Sequence, residues 1–487
     1  MTSWNQTSGL GQEAGWDAEQ PEEQTNSAAR AQRPTDEAGS IIAKQHQASA
    51  LLHQLKLENT GPAPYMDLTL AKRLNLFTGD NRLGKSFLLD TAWYCLTRRW
   101  PQEVNPMISG GSMAMPRNRE ISATLEFTVD GKTPQSQLRT YTCEFSLERD
   151  AWVGRPGRPI NPGIVLYAMA DGSFAVWDPA RNAWRLEEAR DSPERISPYV
   201  FSSTQIWGGL PNPDLTLGML CNGLIQDWGN WQRDKGSTFE QLKEVLKALS
   251  PSTKDEDLIS PGPLVDLRVG DTQQYPSILM PDGTAVPVVH ASSGVKRILS
   301  ISYLLIWVWQ EHVKASRLLA QDPAKQMIFL IDEAEAHLHP KWQRSVLKAL
   351  MKVVDNLSSN TSVQLLVVTH SPLVMASVEP FFDPDQDSWW DLDWSAESRQ
   401  VQVSNRHFDR LGDANSWLQS EAFDQKDTGS IEREVILRKA RQVIRMGKEA
   451  PLEDVNKMHS DLQSVLGSTD VFWNRWRFAA KQAEWRL

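Results

Sequence analysis

GDNRLGKS, residues 79–86, is the stretch of sequence that decides the fold. It fits the pattern GxxxxGK[ST] at every fixed position. An apolar, strand-like run at 74–77 precedes it, and a helix-like run from 85 to 99 follows it. Glycines let the backbone curl so that successive N–H groups point toward one centre. The stretch therefore predicts a buried strand, an anion-binding loop and a helix, in that order.

The remaining positions of this loop suit a nucleotide. We expect Lys85 to bring its charge to the β and γ phosphates and to take part in catalysis, and the Ser86 hydroxyl to ligate Mg²⁺. The loop residues expected to bind the nucleotide are Gly79, Asp80, Asn81, Gly84, Lys85, Ser86 and Phe87. An incidental glycine turn is the alternative, and the strand and helix on either side argue against it.

Two later apolar runs also end in polar side chains. Met327–Ile331 is followed by Asp332 and Glu333, and the run 363–368 is followed by His370. Carboxyl ends of parallel strands meet at the ligand edge of a sheet, so these groups are expected beside the loop. We expect Asp332 to hold Mg²⁺, Glu333 to orient or deprotonate the attacking water, and His370 to sense the γ-phosphate.

A second candidate anion site opens a long apolar helix. Ser292, Ser293 and Gly294 stand at its start, where hydroxyls and backbone amides can bind an anion. Because the chain already has a complete phosphate loop, we expect this turn to act on nucleotide held by a second copy. The alternative is a serine helix cap without a ligand.

Composition excludes several classes of protein. The 487 residues carry 51 basic and 61 acidic side chains, a net charge of −10, which argues against a surface that is basic throughout. Cys95, Cys143 and Cys221 form no CxxC pair, which argues against a disulfide scaffold or zinc ribbon and favours a reducing compartment. The longest apolar run, 298–309, is shorter than the roughly 20 residues that span a bilayer. We expect a cytoplasmic protein without membrane contact.

The sequence pattern divides the chain into three parts. Residues 1–45 are polar and acidic and are expected to be a disordered tail. Residues 50–380 alternate apolar strands and helices as an α/β protein does. Within them, 118–200 looks like an antiparallel β lobe and 215–316 like a helical lobe. Residues 381–487 are expected to form an acidic, Trp-rich loop and a helical region that docks a partner.

The order of these motifs resembles the ABC-class ATPase heads of the SMC and RecF type over roughly residues 50–380. The run from Asp332 to Pro340, DEAEAHLHP, resembles the variant found in OLD-like prokaryotic ATPases, which include ATPase subunits of the antiphage systems Septu and PARIS. The resemblance implies a P-loop ABC-type ATPase fold with a mixed or parallel core sheet and a C-terminal helical extension. It also implies the use of ATP and Mg²⁺ by a homodimer or higher homo-oligomer with composite sites.

Other features depart from that family or leave alternatives open. The glutamine that such heads place near the metal is assigned to Gln205. His337 and His339 offer a metal pair as an alternative to their place in the family motif. The acidic run 383–387 looks superficially like part of a Toprim nuclease site, but no apolar strand precedes it. A basic run from 433 to 448 suits a nucleic-acid backbone, with a solvated helix face as the alternative.

The predicted function is that of an ATPase which dimerises around ATP and regulates a separate effector, a nuclease or toxin, in antiphage defence. One alternative is a RecF-like DNA-repair clamp, for which DNA would be the partner. Another is a scaffold that binds ATP without hydrolysing it. A transporter subunit is a further alternative, against which the β lobe and the long C-terminal region argue.

Overall fold

The computed structural model describes residues 51–485 apart from gaps at 131–137, 155–161, 183–196, 213–217, 358–360, 424 and 426–428. Its strands are β1 (Leu52–Glu58), β2 (Tyr65–Thr69), β3 (Leu74–Gly79), β4 (Thr124–Val129), β5 (Arg139–Ser146), β6 (Ala151–Gly154), β7 (Ile164–Ala168), β8 (Phe174–Trp177), β9 (Tyr199–Phe201), β10 (Leu210–Pro211), β11 (Met219–Cys221), β12 (Ser260–Pro261), β13 (Ser277–Leu279), β14 (Ala285–Pro287), β15 (Gln326–Ile331), β16 (Ser362–Val368), β17 (Asp387–Ser395) and β18 (Gln400–Arg406). Its α-helices are α1 (Lys85–Thr97), α2 (Pro101–Val104), α3 (Ser203–Gly208), α4 (Leu224–Asp234), α5 (Ser237–Ala248), α6 (Ser293–Leu318), α7 (Pro340–Gln343), α8 (Val346–Leu357), α9 (Pro372–Val378), α10 (Ala414–Leu418), α11 (Ile431–Met446), α12 (Leu452–Val465) and α13 (Phe472–Ala483).

An eight-stranded mixed sheet organises the molecule, in the order β18-β17-β3-β16-β15-β7-β8-β9. The central strands β17, β3, β16, β15 and β7 are parallel to one another, whereas β18, β8 and the β8–β9 pairing are antiparallel. The carboxyl ends of β3, β16 and β15 therefore lie side by side at one edge. This arrangement confirms the predicted α/β fold with a phosphate loop between a central strand and a helix.

The central strands are apolar throughout because both faces of the sheet are covered. In β15, Phe329 and Ile331 pack into one core, while Ile328 and Leu330 pack into the other. Side chains alternate between faces along a strand, so a strand buried on both faces must be apolar at every position. One core contains α6, α8 and the helical lobe, and the other contains α1 and a second sheet.

The β block predicted at 118–200 is divided between two sheets. β4, β5 and β6 join β1 and β2 in a five-stranded antiparallel sheet of order β2-β1-β4-β5-β6. β7, β8 and β9 belong to the core sheet instead, and β7 pairs in parallel with β15. The prediction of one lobe was wrong because β7, Ile164–Ala168, is buried at every position, as a central strand is.

The acidic, Trp-rich segment is part of the core sheet, not a loop. β17 pairs in parallel with β3, and Trp389 and Trp390 are each 5% exposed, on opposite faces of the sheet. The acids have local partners, since Arg73 pairs with Asp387 and the Thr78 hydroxyl donates to Asp391. The acidic run 383–387, which looks superficially like part of a Toprim site, forms the turn that leads into β17.

Helices complete the described chain. α6 is 26 residues long, and its middle is buried on all sides beneath α5 and α8. Residues 340–357 form two helices, α7 and α8, and the Ser345 hydroxyl donates to the Trp342 carbonyl at the break between them. α11, α12 and α13 pack around a separate small core.

The predicted disordered tail, residues 1–45, lies outside the described residues. Across the described ranges, no helix has the length and apolar character needed to cross a membrane.

Candidate functional site

The phosphate loop takes its shape from two glycines at positive φ. Gly79 has φ 125°, and a Cβ there would stand 2.0 Å from the Leu392 carbonyl oxygen of β17. Gly84 has φ 92°, and a Cβ there would stand 2.5 Å from Pro62 Cγ. Glycine is required at both positions because side chains rarely adopt this backbone and neighbouring atoms fill the space.

Lys85 lies within the curve of this loop. Its Nζ donates to the carbonyl oxygens of Gly79 and Asp80, each at 2.7 Å. The side chain is 5% exposed, and burial lowers the pKa of Lys85 to about 8, against the opposing effect of Asp332, Asp80 and Glu333. A buried ammonium surrounded by carbonyl oxygens and carboxylates is well placed to meet phosphate charge.

Asp332 lies at the end of β15, facing the loop. Burial raises the pKa of Asp332 to about 6, and a hydrogen bond from the Ser86 hydroxyl opposes the rise. Its Oδ1 is buried and has no hydrogen-bond partner among the described residues. An orphaned carboxylate oxygen beside a serine hydroxyl fits Mg²⁺, which prefers oxygen ligands, so the residues present suit the implied metal.

Glu333 and His370 join the same group. Glu333 has φ 49°, an uncommon backbone for glutamate, and its charge acts on both Lys85 and His370. Burial, aided by the charge of Lys85, lowers the pKa of His370. Glu335 holds the strand end beside it: its carboxylate accepts from the Thr369 hydroxyl at 2.7 Å and from the His370 backbone N–H.

Arg297 is a site residue that the sequence analysis did not predict. It lies on α6 and is 9% exposed, and its Nη2 has no hydrogen-bond partner among the described residues. Burial lowers the pKa of Arg297, while Asp171, Asp332 and Glu333 act against the shift. The signal in the sequence was a charged residue at the start of a run predicted to be buried.

Asp90 was also missed. Its Oδ1 accepts from the Tyr167 hydroxyl at 2.8 Å, and burial raises the pKa of Asp90 to about 7, with Asp332 contributing. Asp90 stands one turn of α1 after Ser86, among apolar neighbours. Tyr167 lies on β7, so the pairing of these two side chains depends on tertiary structure.

A cavity of about 320 Å³ opens on the loop at this edge. Gly79, Asp80, Asn81 and His370 are among the residues that line it. The rest of the described lining comes from C-terminal residues: Leu418, Phe423, Gln425 and Gly429. The cavity thus adjoins both the loop and the strand end that carries His370.

The Ser292–Gly294 turn opens α6, about one helical turn before Arg297. Ser292 and Ser293 are exposed, and the Ser292 hydroxyl accepts from the Val295 N–H as a helix cap. Gly294 is buried, and a Cβ there would stand 2.6 Å from the His337 carbonyl oxygen. Neither serine lines the cavity beside the chain's own phosphate loop.

Three predicted ligands have structural roles in the described conformation. Gln205 closes a capping box on α3: its Oε1 accepts from the Asn105 side chain and the Ser202 N–H, and its role as a metal ligand stays a prediction. The Phe87 ring fills the space over Gly61. His339 caps α7 through Nδ1, and the described ranges contain no group of three or more His, Cys, Asp and Glu side chains that could hold a metal ion.

Comparison with known proteins gives matches at three levels. A family model, AAA_21, described as "AAA domain, putative AbiEii toxin, Type IV TA system", matches residues 74–376, which is more than half of the chain. The "Retron Vc95 probable ATPase" of Vibrio cholerae serotype O1 biovar El Tor is 24% identical over 170 residues. That match covers 33% of this chain and only 29% of the relative.

Solved structures also match. An SMC head bound to the C-winged helix domain of ScpA aligns at a TM-score of 0.37 and 14% identity, covering 73% of this chain and 98% of the other. The recombination mediator RecF, titled as RecF-ATPrS, aligns at a TM-score of 0.32 and 11% identity, covering 71% and 97%.

Proposed function

This chain belongs to the AAA_21 family of AAA domains, and from that premise we propose that it binds and hydrolyses ATP between two copies of itself and thereby controls a separate effector. The observation that carries the proposal is Asp332, buried beside Ser86 with one carboxylate oxygen unpartnered among the described residues. Such an oxygen is costly to bury unless a ligand satisfies it.

Binding is assigned to the loop. Backbone N–H groups of 79–86 and the start of α1 surround the phosphates, and Lys85 exchanges its two carbonyl contacts for phosphate oxygens. Ser86 and Asp332 are the proposed ligands of Mg²⁺, which supplies charge neutralisation for the phosphates when bound.

Hydrolysis is assigned to the neighbouring strand ends. Glu333 orients the attacking water and accepts its proton, while His370, held by Glu335, contacts the γ-phosphate. Burial keeps the His370 ring neutral at physiological pH, since its pKa is lowered. A neutral ring has one N–H to donate to a phosphate oxygen.

The second copy completes the site. Ser292 and Ser293 are exposed at the start of a 26-residue helix, where the helix dipole and free N–H groups attract an anion. We assign this turn to the γ-phosphate held by the partner copy. Exposure of both serines leaves the turn accessible to a second copy.

The biological role is proposed to be antiphage defence, as in Septu and PARIS, with a nuclease or toxin as the effector. The retron relative and the AbiEii-type family description support this assignment. The test is a phage-plating assay in cells that carry the chain with its neighbouring gene. Protection should require the neighbouring gene and should be lost in Lys85→Ala; protection unaffected by Lys85→Ala contradicts the role.

Two substitutions test the enzyme. Lys85→Ala should abolish ATP binding, whereas Glu333→Gln should bind ATP and release phosphate about a hundredfold or more slowly than wild type. Lys457→Ala and Glu397→Gln, at exposed positions, are matched controls. Full turnover by Glu333→Gln would overturn the assignment of the base, and ATP binding without phosphate release by wild type would favour the scaffold alternative.

Dimerisation is tested separately. Glu333→Gln with ATP should double its mass in light scattering, and adding Ser293→Arg should prevent this because the larger side chain blocks the turn. Ser398→Arg, also exposed, is the control. A dimer that forms equally well with Ser293→Arg contradicts the composite site. Hydrolysis stimulated by DNA in wild type would favour the RecF-like clamp.

A further inference from the structure

The cavity beside the phosphate loop has a wall that the family match does not include. The family model ends at residue 376, yet Leu418 and Phe423 line the cavity together with Gly79 and His370. Both side chains are partly buried, and Phe423 packs against the main core. The C-terminal region therefore contributes apolar surface to a site whose other side is polar.

Glu379 anchors this wall. The carboxylate stands at the end of α9, the helix that begins just after His370, and is 8% exposed. Its Oε1 accepts from the Trp417 indole N–H at 2.6 Å and from the Leu411 and Gly412 backbone N–H groups at 2.9 Å. Three hydrogen bonds to one buried carboxylate hold α10 firmly on the helix that follows His370.

An aromatic cluster joins the same wall to the phosphate loop. Trp417 meets Trp389 edge-on, with ring centroids 5.5 Å apart. The Trp389 indole N–H donates to the Thr78 hydroxyl at 2.7 Å, and Thr78 directly precedes Gly79. The wall is thus fixed to both sides of the cavity, at the loop through Thr78 and at the strand end through Glu379.

We propose that Leu418 and Phe423 form the outer wall of the pocket for the terminal phosphate of the nucleotide, so that the C-terminal region sets the preference for a nucleoside triphosphate over a diphosphate. This inference rests on the proposed function. The cavity is lined by Gly79, whose carbonyl oxygen accepts from Lys85 Nζ, and by His370. This region faces the γ-phosphate, which a diphosphate lacks.

The physical effect of the wall is exclusion of water. The charge interaction of Lys85 with the terminal phosphate, and the hydrogen bond that His370 donates to it, strengthen as the local dielectric constant falls. Removing an apolar wall admits water and weakens these interactions. The α- and β-phosphates, held by backbone N–H groups of the loop, are unaffected.

The test compares two nucleotides on the full chain. Phe423→Ala should weaken ATPγS binding about tenfold in calorimetry with Mg²⁺ while changing ADP binding by less than about twofold. Phe423→Leu should restore most of the affinity because it keeps an apolar side chain. Phe478→Ala is the control: it removes the same type of side chain on α13, where Phe478 is 63% exposed and away from the cavity. It should change neither ATPγS binding nor ADP binding.

Glu379→Gln tests the anchor without touching the cavity. Like Phe423→Ala, it should raise the ratio of the ATPγS dissociation constant to the ADP dissociation constant. The inference is overturned if both variants lose affinity for ATPγS and ADP equally, or if the ratio of the two dissociation constants is unchanged in both variants. If wild type binds neither nucleotide, or Lys85→Ala binds both normally, the proposed function fails instead.

Discussion

Arg297 and Asp90 show what a motif cannot specify at the scale of single residues. The loop, Asp332 and His370 were predictable because each directly follows a recognisable apolar run. Arg297 and Asp90 became visible only when β7 and α6 were packed beside β15, since their neighbours, Tyr167 and Asp332, are far away in sequence. Side chains that follow an apolar run directly can be nominated from the sequence, whereas side chains brought together by the packing of distant elements cannot.

Arg297 is expected to contribute to nucleotide binding. A buried guanidinium with an unpartnered Nη2 gains a partner when phosphate arrives, so Arg297→Met should reduce the rise in Tm that ATPγS produces. Arg297→Lys should reduce it less, because the charge is kept. Arg317→Met, at the exposed end of the same helix, is the control. An undiminished shift in Arg297→Met would indicate a packing role only.

Asp90 is expected to make stability depend on pH. Burial raises its pKa to about 7 in the folded protein, from the 3.8 of an exposed aspartate, so the folded state binds a proton that the unfolded state releases. Stability should therefore fall as pH rises from about 4 to about 7, and remain lower above that. Asp90→Asn, measured by Tm without nucleotide, should flatten this fall. An unchanged profile would show that Asp90 does not titrate in this range.

At the scale of elements, periodicity identified the strands but not their partners. Ile164–Ala168 and Ala123–Val129 both read as strands, yet they belong to different sheets. β17 was not predicted as a buried strand because it contains acidic residues. Asp387 and Asp391 are paired with Arg73 and Thr78, which lie more than 300 residues away in the sequence. The sequence pattern of a strand indicates which of its faces is apolar. Which strands it pairs with depends on the elements that cover that face.

The close approach of β17 to the loop predicts a strong effect at Gly79. Gly79→Ala would place a Cβ 2.0 Å from the Leu392 carbonyl oxygen, at a φ that alanine disfavours. We expect Tm to fall by several degrees and nucleotide binding to be lost. Gly270→Ala, where a Cβ meets open space and φ is not positive, should change neither. Normal binding by Gly79→Ala would contradict the described contact.

At the scale of the whole molecule, the described chain contains two large cores that share the main sheet and a small core in α11–α13. Within the described ranges, the small core has no residue in common with the other two. A chain ending at residue 429 keeps the wall of the cavity and the entire main sheet. The partner-docking role expected for 381–487 stays a prediction, and α11–α13 are the part of that region outside the main sheet.

That truncation should leave nucleotide affinity within about twofold of the full chain and should leave the main unfolding transition in place. Calorimetric binding and a thermal melt of the 1–429 chain are the measurements. A chain ending at residue 410 is the matched comparison, because it also removes the wall and should lose the preference for ATPγS. Loss of all binding in the 1–429 chain would show that the bundle supports the site.

The position of β3 between β16 and β17 also governs when the protein becomes competent during synthesis. Both flanking strands come from the last third of the chain, although the loop is encoded near residue 80. A ribosome must therefore translate past Leu392 before the loop has its neighbour on that side. The phosphate loop is therefore synthesised long before its strand neighbours are present. Until then the apolar strand β3 is exposed and available to chaperones.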